Sequence, residues 1–98
     1  MGMYNVLLVR ERCGACGDEI DRRVQFAWGD TWLHEYAVGA RLAWGGNDVG
    51  EPRMRRVVVD AAAEACPVCG GDGPEGEVVV ERDVLVGWRP YPDAQNER

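Results

Sequence analysis

Short apolar runs separated by polar turns make up most of the chain, and their period is nearer two than 3.6. Val6-Leu7-Leu8-Val9 is a nearly continuous apolar run inside a β-rich stretch from Tyr4 to Arg12. From Asp21 to Trp28 the pattern alternates, with Val24, Phe26 and Trp28 on one face and Arg23 and Gln25 on the other. That spacing predicts a strand, with Gly29-Asp30 as its turn. Val57-Val58-Val59 predicts another strand. Between Glu77 and Trp88, Val78-Val79-Val80 and Val84-Leu85-Val86 predict two more, with Arg82-Asp83 placed to bend them into a hairpin.

Two stretches admit more than one period. In Thr31 to Ala43, Asp30 or Thr31 is a possible helix cap, and Trp32, Tyr36 and Ala40 follow at four-residue spacing. The same residues alternate as Trp32, His34, Tyr36 and Val38, with Gly39 as a turn. A glycine inside a helix costs about 1 kcal/mol relative to alanine, and Val38 is β-branched, so the expectation is a hairpin. Ala61 to Ala65 reads as a helical turn or as continued strand. The glycine-rich segment 45–52 is a loop by composition. The fold class expected is mainly β: a small antiparallel sheet with a possible short helical turn. Residues 1–90 form the expected domain, and 91–98, with Pro90 and Pro92 at its boundary and polar residues from Asp93 on, a mobile tail.

Composition narrows the function classes. Ninety-eight residues hold one core, and 46% hydrophobic with 29% charged residues describes a globular chain. No apolar run approaches the roughly 20 residues of a membrane-spanning helix. No basic segment leads into an apolar one at Met1 to Val6, so the expected location is cytoplasmic, without membrane association. The formal charge is −6, from 17 acidic residues and 11 basic ones, all arginine. Neither half is basic, which argues against a nucleic-acid partner. Arg53, Arg55 and Arg56 form the nearest cationic cluster, with Arg22-Arg23 a second.

The chemistry lies in the cysteines. Cys13-Gly14-Ala15-Cys16-Gly17 and Cys66-Pro67-Val68-Cys69-Gly70 are two CxxCG units, separated by 49 residues. Four thiolates about 2.3 Å from one ion form a tetrahedral site. A CxxC turn converges two sulfurs while backbone N–H groups aim at them. Gly17 and Gly70 stand where such a turn needs positive φ. The predicted metal ligands are therefore Cys13, Cys16, Cys66 and Cys69. A thioredoxin-like pair would need a βαβ context, and stable disulfides an oxidising compartment. A zinc deaminase needs H-x-E and P-C-x-x-C elements, whereas here Glu35 follows His34 directly and Ala65 precedes Cys66.

CxxCG followed by CPxCG resembles the double knuckles of zinc ribbons and rubredoxins. The resemblance covers ten residues in two islands, Cys13–Gly17 and Cys66–Gly70. It implies one bound Zn²⁺, or Fe as the alternative. Zinc ribbons accept long insertions between knuckles, and rubredoxins usually place an aromatic residue where this chain has Asp18; both points favour zinc. An apolar run begins seven residues before Cys13, at Val6, and Val59 lies seven before Cys66, a faint repeat of strand, knuckle and strand.

No catalytic set is expected. His34 is the single histidine, and acidic pairs such as Asp18-Glu19 and Glu75 with Glu77 lie in hydrophilic turns. The expected function is a non-enzymatic zinc protein acting through a protein partner. The alternatives are a rubredoxin-like iron electron carrier and a nucleic-acid-binding zinc ribbon. Arg10 and Arg12 are placed to offset thiolate charge or simply to alternate with Glu11 on the surface. Of Trp28, Trp32 and Trp44, any that does not fit the core would mark a protein-binding face.

Overall fold

The computed structural model describes residues 3–91, and over that range the ordered elements are all strands. They are β1 (Asn5–Arg12), β2 (Glu19–Phe26), β3 (Gly29–Asp30), β4 (Glu35–Ala37), β5 (Asp48–Val49), β6 (Val57–Ala63), β7 (Glu75–Glu81) and β8 (Val84–Pro90). The mainly β fold class holds, and the alanine run continues strand β6 as far as Ala63. Of the expected tail, Tyr91 alone is described: its N–H donates to the Glu75 carbonyl and its hydroxyl bonds Asp60. Residues 92–98 lie outside the described range.

Six strands form one sheet in the order β4-β1-β2-β6-β7-β8, and β3 pairs with β5 apart from it. The run β1-β2-β6-β7-β8 is antiparallel, while β4 lies parallel to β1. The stretch 31–43 is neither a helix nor a hairpin folded on itself. Its first part pairs with β1 through Glu35–Ala37. Its second part crosses to the far edge, where Arg41 bridges Val84. There the Gly39 N–H donates to the Leu85 carbonyl at 2.7 Å and the Leu42 N–H to the Asp83 carbonyl at 2.7 Å. The sheet thus curls until this segment joins its two edges, leaving fewer unpaired backbone groups exposed.

The curl encloses the core. One face of β2 buries Ile20, Arg22, Val24 and Phe26 in strict alternation. Val24 and Phe26 share one core cluster with Leu7 from β1, Tyr36 from β4, Leu42, Ala61 from β6, Val78 and Val80 from β7 and Leu85 from β8. Each fully buried Leu or Val side chain stabilises the fold by about 1.5–3 kcal/mol relative to exposure. In β8 the pairing passes from Val79↔Gly87 to Val80↔Leu85, which leaves Val86 unpaired in a bulge that bends the strand. Trp28 and Trp44 pack edge to face at 6.4 Å. Trp32 is 64% exposed.

The topology places the cysteines. β1 rises to Cys13, β2 descends, β6 rises antiparallel to β2 and ends just before Cys66, and β7 descends again. Both knuckles therefore sit at the same end of the sheet. The faint sequence repeat corresponds to two successive strand–knuckle–strand hairpins.

Candidate metal centre

The two knuckles have matching backbone bonds. The Cys13 N–H donates to the Asp18 carbonyl at 2.8 Å, and Cys66 to that of Gly71 at 2.9 Å. Gly17 and Gly70 donate back to the carbonyls of Cys13 and Cys66, each at 2.9 Å. To close these turns the two glycines take φ of 81° and 73°, the left-handed region that a Cβ disfavours. Arg12 adds a brace to the first knuckle, its guanidinium donating to the Gly17 carbonyl at 2.7 Å.

All four sulfurs lie within 4.8 Å of one another. Cys13 Sγ is 3.9 Å from Cys69 Sγ, and Cys16 Sγ is 3.9 Å from Cys66 Sγ, so each knuckle reaches the other through two close sulfur contacts. A tetrahedron with 2.3 Å metal–sulfur bonds has edges of about 3.8 Å. The two 3.9 Å distances lie close to that figure and far beyond a disulfide bond, and all four cysteines are free. The donor set therefore fits a divalent tetrahedral ion such as zinc or iron.

Each knuckle contributes one buried and one exposed cysteine residue: Cys13 and Cys66 are 4% and 3% accessible, while Cys16 and Cys69 are exposed, their sulfurs turned to the cluster. Backbone N–H groups of Ala15 and Val68 approach the sulfurs of Cys13 and Cys66 at 3.4 Å, and that of Gly71 approaches Cys69 at 3.4 Å. Such donors orient thiolates and share their charge. They hold the Cys13 thiol down to about 6, with the N–H groups of Cys16 and Ala15 as the main causes. Cys66 is lowered by the N–H of Cys69. For Cys16 the Asp18 N–H works downward, but burial and the three neighbouring sulfurs together push it up to about 12. Four sulfurs this close cannot all ionise unless a cation sits among them.

Beneath the cysteines lies a residue that the sequence offered only as half of a cationic pair with Arg23. Arg22 is only 5% exposed, and its Nε donates to Glu11 Oε2 at 2.9 Å. Glu11 in turn accepts the Trp88 indole N–H at 3.3 Å, and Arg22 Nη1 reaches the Glu64 carbonyl at 3.3 Å. Burial works against the Arg22 charge, yet Glu11 and then the Cys13 sulfur more than offset it, and its pKa lies above the ordinary arginine value. A buried cation thus sits between the apolar core and the thiolates. The alternation Ile20, Arg22, Val24, Phe26 was the available signal. Arg10, by contrast, pairs on the exposed side with Asp21 at 3.2 Å and Glu19 at 3.7 Å.

His34 lies away from the cysteines, with Nε2 3.0 Å from Asp30 Oδ2. Arg23 on the outer face of β2 bonds Glu35 at 2.8 Å and Glu64 at 3.0 Å. Among the described residues no helix is long and apolar enough to cross a membrane. Comparison with protein-family models, with curated proteins and with solved structures gave no match.

Proposed function

We propose that the chain is a small zinc protein in which one Zn²⁺, held by Cys13, Cys16, Cys66 and Cys69, clamps two β-hairpins together. The convergence of four sulfurs within 4.8 Å of one another, two pairs of them at 3.9 Å, close to the edge length of a tetrahedral tetrathiolate, carries this reading. All four positions are protein ligands, so no coordination position is left open for substrate, and the ion's role is structural. Bringing the knuckles together closes a loop of about 50 residues, at an entropic cost of roughly 3–4 kcal/mol. Zinc binding in small modules contributes about 10–16 kcal/mol. The ion therefore supplies much of the folding free energy. Zn²⁺ with four thiolates carries −2, and the Arg22 guanidinium below is positioned to offset part of it.

In this reading the protein is non-enzymatic and works by contact with another protein. Trp32, together with Leu33 at 52% exposure, forms an apolar tip between β3 and β4. Leu33 holds φ of 60°, unusual for a non-glycine residue, and is fixed there by its N–H bond to the Tyr4 carbonyl at 2.9 Å. A bulky apolar pair held out into solvent on a strained backbone is suited to filling a partner's pocket.

Elemental analysis of protein purified without added metal tests the core of this proposal. One zinc per chain in a colourless sample, with loss of native circular dichroism on strong chelation, is the expected result. A red, reversibly reducible iron protein would replace it with the electron-transfer reading.

A further inference from the structure

At the end of the sheet opposite the knuckles, an open groove of about 800 Å³ is lined by Arg41, Arg53, Arg55, Glu81, Arg82 and Val84. We infer that this groove binds a compact anion carrying two or more phosphate groups. The inference is independent of the metal centre.

The ion-pair pattern is the first support. Arg10, Arg22, Arg23, Arg56 and Arg89 each have a carboxylate partner. Among the described residues five arginines lack one; Arg12 is bonded to the Gly17 carbonyl at the far end, and the other four line the groove, Arg41 with a single long bond of 3.5 Å to the Arg82 carbonyl. This happens in a chain of net charge −6, where carboxylates outnumber guanidinium groups. The single acid in the lining, Glu81, is already engaged by Arg56 at 3.8 Å. Four clustered cations repel one another unless an anion joins them.

Backbone strain is the second support. Four described non-glycine residues take positive φ, and three of them are here: Arg53 at 64°, Arg82 at 50° and Asp83 at 69°. Arg82-Asp83 is the two-residue turn between β7 and β8, of a type normally filled by Asn-Gly. Such conformations cost about 1–2 kcal/mol per residue and persist where surrounding bonds impose them. The bonds are present. The Arg53 N–H donates to Asp83 Oδ1 at 2.9 Å, and the Arg82 N–H to the Met54 carbonyl at 2.9 Å. They lace loop 52–56 onto the turn, so that arginines from three separate segments face one space.

Size and lining choose the ligand class. The volume lies in the range of small-molecule sites. Guanidinium forks match phosphate oxygens in pairs, and a singly charged carboxylate would neutralise one arginine of four. The lining has no aromatic side chain on which a base could stack, and a nucleic-acid strand leaving the groove would run along an acidic protein. A free polyphosphate, or the polyphosphate tail of a small molecule, meets these constraints better than a phosphodiester chain.

Calorimetric titration of the metal-loaded protein with inorganic tripolyphosphate at low salt tests the inference. The expected result is saturable one-to-one binding, weakened about tenfold or more for each guanidinium removed in Arg53→Glu/Arg55→Glu and unchanged in Arg10→Ala. Arg55→Glu alone, at a position without positive φ, repeats the test if the double variant misfolds. Absence of saturable binding would overturn the inference, as would equal losses in the Arg10→Ala control. Tighter binding of an oligothymidylate of matched charge would replace the compact anion with single-stranded nucleic acid.

Discussion

Replacing Arg22 by methionine isolates the buried cation under the cysteines. Methionine keeps most of the stem volume, so the change removes charge and hydrogen bonds and leaves little cavity. Glu11 would then hold its carboxylate with the Trp88 indole as its one described side-chain partner, at 3.3 Å, and the Glu64 carbonyl would lose Arg22. Breaking a buried ion pair from one side costs about 3–5 kcal/mol. The Glu11 side chain is 29% exposed, and water reaching it moves the expectation to the lower end, about 3 kcal/mol. Removing both charges, in Arg22→Met with Glu11→Leu, discards the desolvation cost along with the attraction. The double variant is therefore expected to lie within roughly 1–1.5 kcal/mol of the parent, the remainder coming from the lost acceptor of Trp88, the Glu64 carbonyl without its donor and the thiolate charge that Arg22 no longer offsets. Urea unfolding of the metal-loaded proteins, followed by tryptophan fluorescence, gives the double-mutant cycle. Additive losses in the double variant, or a single variant within about 0.5 kcal/mol of the parent, would refute the buried-pair reasoning.

Other consequences are open to measurement. In Gly76→Ala the new Cβ would lie 2.2 Å from the Arg89 carbonyl oxygen and 2.6 Å from Pro90 Cα. Forcing β7 and β8 apart should lower unfolding free energy by about 2–3 kcal/mol in chemical denaturation. Asp30 has its pKa lowered from 3.8, first by the His34 hydrogen bond and then by the Asn47 N–H. A depressed carboxylate stabilises the fold above its unfolded pKa, and that contribution disappears as pH falls through the folded value. Asp30→Asn should therefore flatten the acid limb of stability against pH below about 4 relative to the parent. Trp32→Ser should leave the melting temperature within about 2 °C of the parent, because the ring is exposed, while weakening any specific protein complex. A large drop in melting temperature would make Trp32 a packing residue instead.

Much of the fold was legible because it depends on alternation. The alternation from Asp21 to Trp28 announced a strand and, in Val24 and Phe26, its inward face; the valine runs announced β6, β7 and β8, and Arg82-Asp83 the turn between the last two. The cysteine spacing specified the sulfur cluster, since the glycine after each pair marks the turn that convergence needs. Residues 31–43 resisted because they pair with different strands in succession. Glu35–Ala37 extends one edge of the sheet and Arg41 the other, and a local period cannot reveal partners at opposite edges. The arginine groove was half visible. Arg53 and Arg55 stood out by clustering, whereas Arg41 and Arg82 join them through the same edge closure. Arg56, counted in that cluster, turns instead to Glu81. Arg22 looked like one half of a surface pair because adjacency suggested it, while its position in the alternation put it inside.

The central claim is that one ion joins Cys13, Cys16, Cys66 and Cys69. X-ray absorption at the zinc edge of the protein as purified tests it most directly. The account predicts a single shell of four sulfurs at about 2.3 Å. A shell with fewer sulfurs completed by nitrogen or oxygen, or protein that carries no zinc and keeps its native fold, would contradict it.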